Sequence, residues 1–132
     1  MKKRVVSIAL ILAIGCTALF LLAGCSAGEE KEVRVEYIPG NVFTTNVKDS
    51  FTILKTAPVL VLNKEGLEEM LDGNMTSIRD TIIFILRDLD EDDIQKTGRH
   101  DDLRERIMDE LNELLGIDNI VEVRFNDFVM GR

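Results

Sequence analysis

The chain has 132 residues and a formal net charge of −8, with 16 Lys and Arg against 24 Asp and Glu. This length suits one modest domain, and the acidic balance argues against a nucleic-acid-binding surface, which needs clustered Lys and Arg. The chain has one His, no Trp and two Cys, and both Cys lie within the first 25 residues. The remainder lacks the side chains most used in nucleophilic or metal-assisted chemistry, so we expect no enzyme, no catalytic residue, no cofactor and no metal site.

The first 25 residues have the pattern of an export signal. Residues 2–4 are basic, and residues 5–22 form a mostly apolar run of 18 residues. This pattern predicts either a signal peptide or an uncleaved transmembrane anchor, because the run has the minimum length that spans a bilayer. Positive charge holds the amino end inside, so both alternatives predict a domain on the outer face of the cytoplasmic membrane.

The end of the apolar run favours the signal peptide. The sequence Leu-Ala-Gly-Cys at residues 22–25 resembles the lipobox of bacterial lipoproteins, in which the chain is cut before the Cys and acyl chains are attached to it. We therefore predict lipid attachment at Cys25, where two or three acyl chains would anchor the protein stably. The alternative is that Cys25 is a small apolar residue at the exit of a transmembrane helix.

Residues 26–32 are small and acidic and predict a short tether, so we place the exported domain at residues 33–132. After Cys25 the chain has 13 basic and 24 acidic residues, a net charge of −11, and no further Cys. The domain therefore has no disulfide and depends on packing for its stability.

The first half of the domain contains strand patterns. Apolar and charged residues alternate over residues 33–37, and Pro39-Gly40-Asn41 predicts a turn. Residues 42–47 and 51–55 are two further strand candidates. The continuously apolar run 58–62 predicts a strand that is covered on both faces.

A helical pattern follows. Apolar residues recur at steps of three and four over residues 67–89, which predicts more than 20 residues of helix. Asn63 is the candidate residue for capping its start, and Gly73 is a candidate break between two helices. We expect Arg79 to form a helical surface pair with Asp80.

An acidic run at residues 88–93 ends this helical region. A calcium loop counted from its start would need Gly and Glu where Asp93 and Arg99 stand, so the template fails twice. We predict a solvated acidic connector in which Asp90 or Asp93 caps a short helical turn. His100 has no second His or Cys nearby, so we expect a surface or capping role for it.

A second helix is predicted over residues 101–115 and ends at Gly116. Residues 120–130 predict a closing strand with a bulge near Asn126-Asp127. Strands, two or three helices and a final strand together predict an α+β domain, with a small antiparallel or mixed sheet and helices packed on one face.

Four segments, taken in order, resemble the flagellar basal-body-associated FliL family. They are the sequence IRDTIIFIL at residues 78–86, Leu103-Arg104, Ile107 followed by LNELL at residues 111–115, and VEVRFNDFV at residues 121–129. The similarity covers about residues 40–130. The segments resemble the family's I-R-D-x-I-I-x-x-L helix, the start and end of its next helix, and its V-x-x-V-x-F-x-x-F final strand.

The resemblance implies a stomatin-like domain on the outer face of the cytoplasmic membrane that assembles into a homo-oligomeric ring. In the family this ring surrounds the stator subunit of the flagellar motor and supports torque generation or stator engagement. The family has no catalytic residues to carry over. The matching positions are expected in the core, and they are Ile78, Ile82, Leu86, Leu111, Val123, Phe125 and Phe128.

The expected function is that of a non-enzymatic, membrane-anchored basal-body protein that supports the stator for motility. Its expected partners are stator subunits, the basal body, the membrane and copies of itself, with no nucleic acid. Family members usually keep a transmembrane helix, and a cut at Cys25 would remove it. The alternative is a small envelope lipoprotein that binds a ligand or scaffolds another envelope complex.

Overall fold

The computed structural model of the protein describes residues 32–131, apart from the Thr97 side chain. The export signal, Cys25 and residues 26–31 of the tether lie outside the described residues. The elements are β1 (Val35–Tyr37), β2 (Phe43–Asn46), β3 (Ile53–Leu62), α1 (Glu68–Gly73), α2 (Met75–Arg87), α3 (Glu91–Gln95), α4 (Thr97–Leu115) and β4 (Ile120–Gly131). The predicted α+β class is confirmed. Across the described part of the chain, no helix is both long and apolar enough to cross a bilayer.

The four strands form one antiparallel sheet with β3 at its centre. On one side β3 pairs with both β1 and β2, and on the other side it pairs with β4 along its whole length. The register along β4 shifts twice. One shift leaves Asn126 and Asp127 opposite Ala57, which confirms the bulge predicted there, and the other leaves Val121 without an opposite residue.

Strand β3 corrects one prediction, because residues 51–55 and 58–62 were expected as two strands. Pro58 interrupts the pattern in the sequence, since Pro cannot donate to a strand ladder. In the structure β2 pairs with residues 53–56 of β3 and β1 pairs with residues 60–62, so Pro58 has no ladder partner on that side. The chain can therefore remain extended through Pro58 as one strand.

Residues 32–131 contain four helices, where two or three were predicted for the domain. The break predicted at Gly73 is confirmed, since it ends α1 and α2 begins at Met75. The cap predicted at Asn63 is wrong, because Gly66 has a left-handed backbone with φ +78° and the first helix begins only at Glu68. The Asn63 side chain instead accepts a hydrogen bond of 2.9 Å from Asn119.

The last helix, α4, begins four residues before its predicted start. Its first turn is held on α3 by the Arg99–Asp93 ion pair of 2.7 Å and by the hydrogen bond from His100 to the Ile94 carbonyl. The helical pattern of the sequence does not reveal these contacts between elements. It ends as predicted at Gly116, whose φ of +65° is accessible to Gly at little cost.

One hydrophobic core lies between the helices and one face of the sheet. The positions expected in the core from the family motifs are confirmed, with Phe125 and Phe128 partly buried at its margin. The fully buried large side chains are Phe43, Leu54, Leu60, Leu62, Leu71, Ile78, Ile82, Ile85, Leu86, Ile107, Leu111 and Ile120.

The other face of the sheet carries ion pairs. Val59 and Val61 point to this face by the alternation of β3, yet both are buried, as predicted for residues 58–62. Long side chains on this face are joined in the pairs Arg34–Glu122 and Arg124–Glu36, each at 3.0 Å. Exposed pairs of this kind stabilise weakly.

Candidate interaction surface

The hairpin tip, defined here as residues 47–52, connects β2 to β3 and has a fixed backbone shape. The Val47 N–H donates to the Thr52 carbonyl at 2.9 Å, and the Ser50 N–H donates to the Val47 carbonyl at 3.3 Å. Asp49 between them has a φ of +54°, in the left-handed region that Asp tolerates better than most residues.

The acidic connector at residues 88–93 has defined partners and is more than the solvated segment that was predicted. Asp90 caps α3 in a reciprocal arrangement with Asp93, which confirms the predicted capping role. Hydrogen bonds from Lys48 first, and from Arg106, hold the pKa of Asp88 below its ordinary value. The charges of the connector are thus used to fix local structure.

The connector holds the hairpin tip from one side. The Lys48 N–H donates to the Leu89 carbonyl at 2.9 Å, and the Lys48 ammonium lies 3.3 Å from the Asp88 carboxylate. The Glu91 carboxylate accepts from the hydroxyls of Ser50 and Thr52, the latter at 3.0 Å. Charge-assisted hydrogen bonds of this kind are among the stronger ones, and they hold the hairpin tip against the connector.

Phe51 is fully exposed as a consequence of this docking. Its neighbours Ser50 and Thr52 both turn their side chains towards Glu91, so the ring between them projects into solvent. Large aromatic side chains are enriched among residues that anchor protein interfaces, because they bury a large apolar area with few rotatable bonds. A ring displayed on a fixed loop has the properties of such an anchor.

A shallow recess lies on the open face of the sheet near the tip. It has a volume of about 170 Å³ and is lined by Ile53, Lys55, Val129 and Gly131. Ile53 and Val129 are exposed, and Lys55 makes no ion pair with any residue from 32 to 131. Phe51 and the recess together offer apolar surface with one free cation, which suits a partner's apolar side chain next to a carboxylate.

The sequence pattern missed Phe51 as an exposed residue, although one signal was available. Leu54, Leu60 and Leu62 define the core face of β3, so the odd-numbered positions before them point to the open face. Alternation could therefore have placed Phe51 outward. Alternation could not have revealed the hydrogen bonds from Ser50 and Thr52 to Glu91, because they join residues about 40 positions apart.

Arg79 is not paired with Asp80 as predicted. Its Nη1 donates to the carbonyls of Pro39 at 2.8 Å and Asn41 at 3.2 Å, and the guanidinium lies 4.2 Å from the centre of the Phe43 ring. A Cβ on Gly40 would lie 2.8 Å from the same Nη1. The Arg of the I-R-D motif therefore fixes the turn between β1 and β2.

His100 has the capping role that was predicted. Its Nε2 donates to the Ile94 carbonyl near the end of α3, at 2.6 Å, and its ring lies 4.7 Å from that of Phe128. Across residues 32–131, no three His, Cys, Asp or Glu side chains are grouped so that they could hold a metal ion.

Comparison with known families identifies a match over most of the chain. The model of a family described as flagellar basal body-associated protein FliL matches residues 37–130. No curated protein sequence matches the chain. The matched interval includes the core, the hairpin tip, the acidic connector and nearly all of β4.

Proposed function

Because the chain belongs to the FliL family of flagellar basal body-associated proteins, we propose that it supports the motor stator and motility without catalysing a reaction. It would assemble with copies of itself around the stator. The family match supports this role because it extends over 37–130, which includes nearly every element of the fold.

We further propose that residues 33–132 act on the outer face of the cytoplasmic membrane, joined to it through residues 26–32. Attachment would be by acyl chains on Cys25, or by the apolar run at residues 5–22 kept as a transmembrane helix. The basic residues 2–4 support this orientation. The mass of the amino-terminal peptide distinguishes the two forms of attachment.

The observation that carries the proposed stator contact is the rigid display of Phe51. The ring lies just before Ile53 at one end of β3, whereas the chain enters the domain at β1, which pairs with the other end near Leu62. At roughly 3.3 Å per residue, the ten residues of β3 separate these ends by about 30 Å. The hairpin tip can therefore reach a partner that lies beyond the membrane surface.

Replacement of Phe51 tests this contact. We expect F51A to lower crosslinking of the full chain to the stator's outer domain by about tenfold or more, the effect of losing an interface anchor. The melting temperature should not fall, because a fully exposed ring contributes little packing. Chemical crosslinking in cells with an intact motor measures the contact with the stator. Thermal denaturation of the purified protein measures the melting temperature.

The matched control is F84A, which removes from α2 a second strongly exposed Phe of the described residues, with an exposure of 74%. We expect F84A to crosslink to the stator as wild type does. Wild-type crosslinking by F51A together with a loss in F84A would refute the proposed contact.

A further inference from the structure

A groove of about 680 Å³ lies between α4 and the edge of the sheet that β4 forms. Met108 on α4 and Phe125 on β4 line it, and both are only partly buried among the described residues. Phe125 points to the helix side of the sheet, as the buried Val123 does, because side chains alternate along a strand. The groove therefore offers apolar surface on the helix side of one sheet edge.

The opposite edge of the sheet carries two exposed apolar side chains, Ile38 and Val42, called the edge pair below. They flank the turn between β1 and β2 and are 58% and 50% exposed. The adjacent Tyr37 and Phe43 are buried in the core, so alternation turns the edge pair towards the open face. Arg79 donates to two carbonyls of this turn, so the backbone that carries the edge pair is held in place.

The groove and the edge pair lie at the same level along the central strand β3. The residues next to the edge pair are opposite Thr56 and Leu60 of β3, so the edge pair lies between these two levels. Phe125 in the groove is opposite Pro58, in the middle of the same interval. Each edge of the sheet thus has an apolar surface at the same distance from the hairpin tip.

The two surfaces also lie on opposite sides of the sheet, which suits a contact between neighbouring copies. If the copies overlap like roof tiles, the open side of one edge covers the helix side of the other edge, and the edge pair enters the groove. Such a contact joins two different surfaces, so it can repeat from copy to copy and close into a ring. The rotation axis is then parallel to β3, and every hairpin tip points the same way, as anchoring in one membrane requires.

Charged side chains of both signs border each surface. Arg34 and Glu36 lie on the open face near the edge pair, and Arg104 and Glu105 of α4 line the groove. The contact can therefore bring opposite charges together, although the chain after Cys25 has a net charge of −11. This mixture of signs favours a second copy as the occupant of the groove.

We infer that the edge pair of one copy docks in the groove of the next copy, and that this head-to-tail contact builds the assembly. The inference specifies the contact behind the self-assembly in the proposed function and rests on that part of it, and on the shared orientation of copies in one membrane. It does not depend on the stator contact. Phe51 lies at the hairpin tip, away from both surfaces, so F51A should leave this self-assembly intact.

The test introduces cysteines into the full chain and treats membranes that contain it with a flexible thiol-specific crosslinker. The variant with both V42C and M108C should form a ladder of dimers, trimers and larger species, because each copy then carries both halves of the contact. Cells that make the V42C and M108C chains together should yield dimers only. Either single variant alone should crosslink no more than wild type, which has the same native Cys16 and Cys25.

A second variant, I38E, tests the same contact without a crosslinker. A carboxylate in the edge pair should raise the concentration at which the purified full chain dissociates by about tenfold or more, as measured by native mass spectrometry in detergent. The melting temperature of diluted protein should match that of wild type, since Ile38 is exposed. The matched control is F84E, which adds the same charge at an exposed residue outside both surfaces and should assemble as wild type does.

The possible failures are distinguishable. A wild-type chain that assembles, with no ladder from the double-cysteine variant, would overturn the inference and leave the self-assembly of the proposed function standing. A wild-type chain that stays monomeric would overturn both. Dimers of M108C alone would indicate a two-fold contact, and a crosslink from M108C to a stator subunit would assign the groove to that partner. Either result, or normal assembly of I38E, would exclude the head-to-tail contact.

Discussion

Single polar side chains connect segments that are distant in the sequence of this protein. Asn112 on α4 donates to the Ile120 carbonyl at 2.9 Å and accepts from the Ile120 N–H at 3.1 Å, so it satisfies both backbone groups of a buried residue. Arg79 likewise donates to two backbone carbonyls of the turn between β1 and β2. Both residues belong to motifs that carry the family resemblance, and the structure explains why those motifs contain polar positions.

These roles could not be read from the sequence. The helical pattern identifies which positions face the core, and it placed Ile78 and Leu111 there correctly. It gives no information about a polar partner that a different element supplies. Arg79 was consequently paired with its neighbour Asp80, whereas its actual partners lie about 40 residues earlier in the chain.

Tyr37 gives a pH-dependent test at this scale. Its hydroxyl donates to Asp72 at 2.8 Å, and burial first, then this hydrogen bond, raises the pKa of Tyr37 above its ordinary value of 10.0. The unfolded chain therefore loses the phenol proton first as pH rises. The stabilisation from Tyr37 is complete below about pH 10 and decreases above it, by up to about 1.4 kcal/mol per pH unit.

We expect the free energy of unfolding, measured with urea, to fall more steeply between about pH 9.5 and 11 in wild type than in Y37F. The comparison between the two proteins removes the contribution of lysines, which titrate in the same range. Identical slopes in both proteins would show that the Tyr37 phenol does not contribute this pH dependence.

At the scale of elements, the sequence predicted helix breaks, ends and caps best where a few adjacent residues determine them. The break at Gly73, the end of α4 at Gly116 and the cap at Asp90 each depend on a few adjacent residues, and all three were predicted. The errors arose where partners are distant. The continuity of β3 depends on how β1, β2 and β4 pair with it, and the early start of α4 depends on α3.

The docking of the hairpin tip on the acidic connector predicts a specific effect for E91A. The substitution removes the acceptor for the hydroxyls of Ser50 and Thr52, so we expect a loss of about 1–3 kcal/mol in the free energy of unfolding. Amides of the hairpin tip should exchange hydrogen faster. Crosslinking to the stator should decrease less than in F51A, because the Phe51 ring is still present but less ordered.

The control for E91A is D92A, which changes the adjacent carboxylate. The Asp92 carboxylate is exposed and accepts a hydrogen bond of 2.9 Å from Lys96 at the end of α3. We expect D92A to leave both the free energy of unfolding and the hydrogen exchange of the hairpin-tip amides nearly unchanged. Equal behaviour of E91A and D92A would mean that the connector does not order the hairpin tip.

At the scale of the whole molecule, the sequence was sufficient for the family and the fold class. The residues that carry the resemblance are mostly buried, for example Ile82 and Val123, so they report the fold directly. Surfaces used for assembly are exposed and leave no periodic pattern. Alternation along β3 could have placed Phe51 outward, but its neighbours' hydrogen bonds to Glu91 became visible only once the positions of all elements were known.

The acidic charge of the molecule also bears on its assembly. With −11 after Cys25, two copies repel each other unless the contact itself brings opposite charges together. Lys55 lines the recess near the hairpin tip and has no ion pair among residues 32–131, so it offers such a contact to a partner that carries a carboxylate.

The position of the full chain in living cells tests the central claim most directly, and a carboxyl-terminal fluorescent fusion measures it. The account predicts foci that coincide with flagellar basal bodies and become weaker with F51A. An even distribution around the cell envelope, unchanged when basal bodies are removed, would contradict it and favour a lipoprotein that serves another envelope complex.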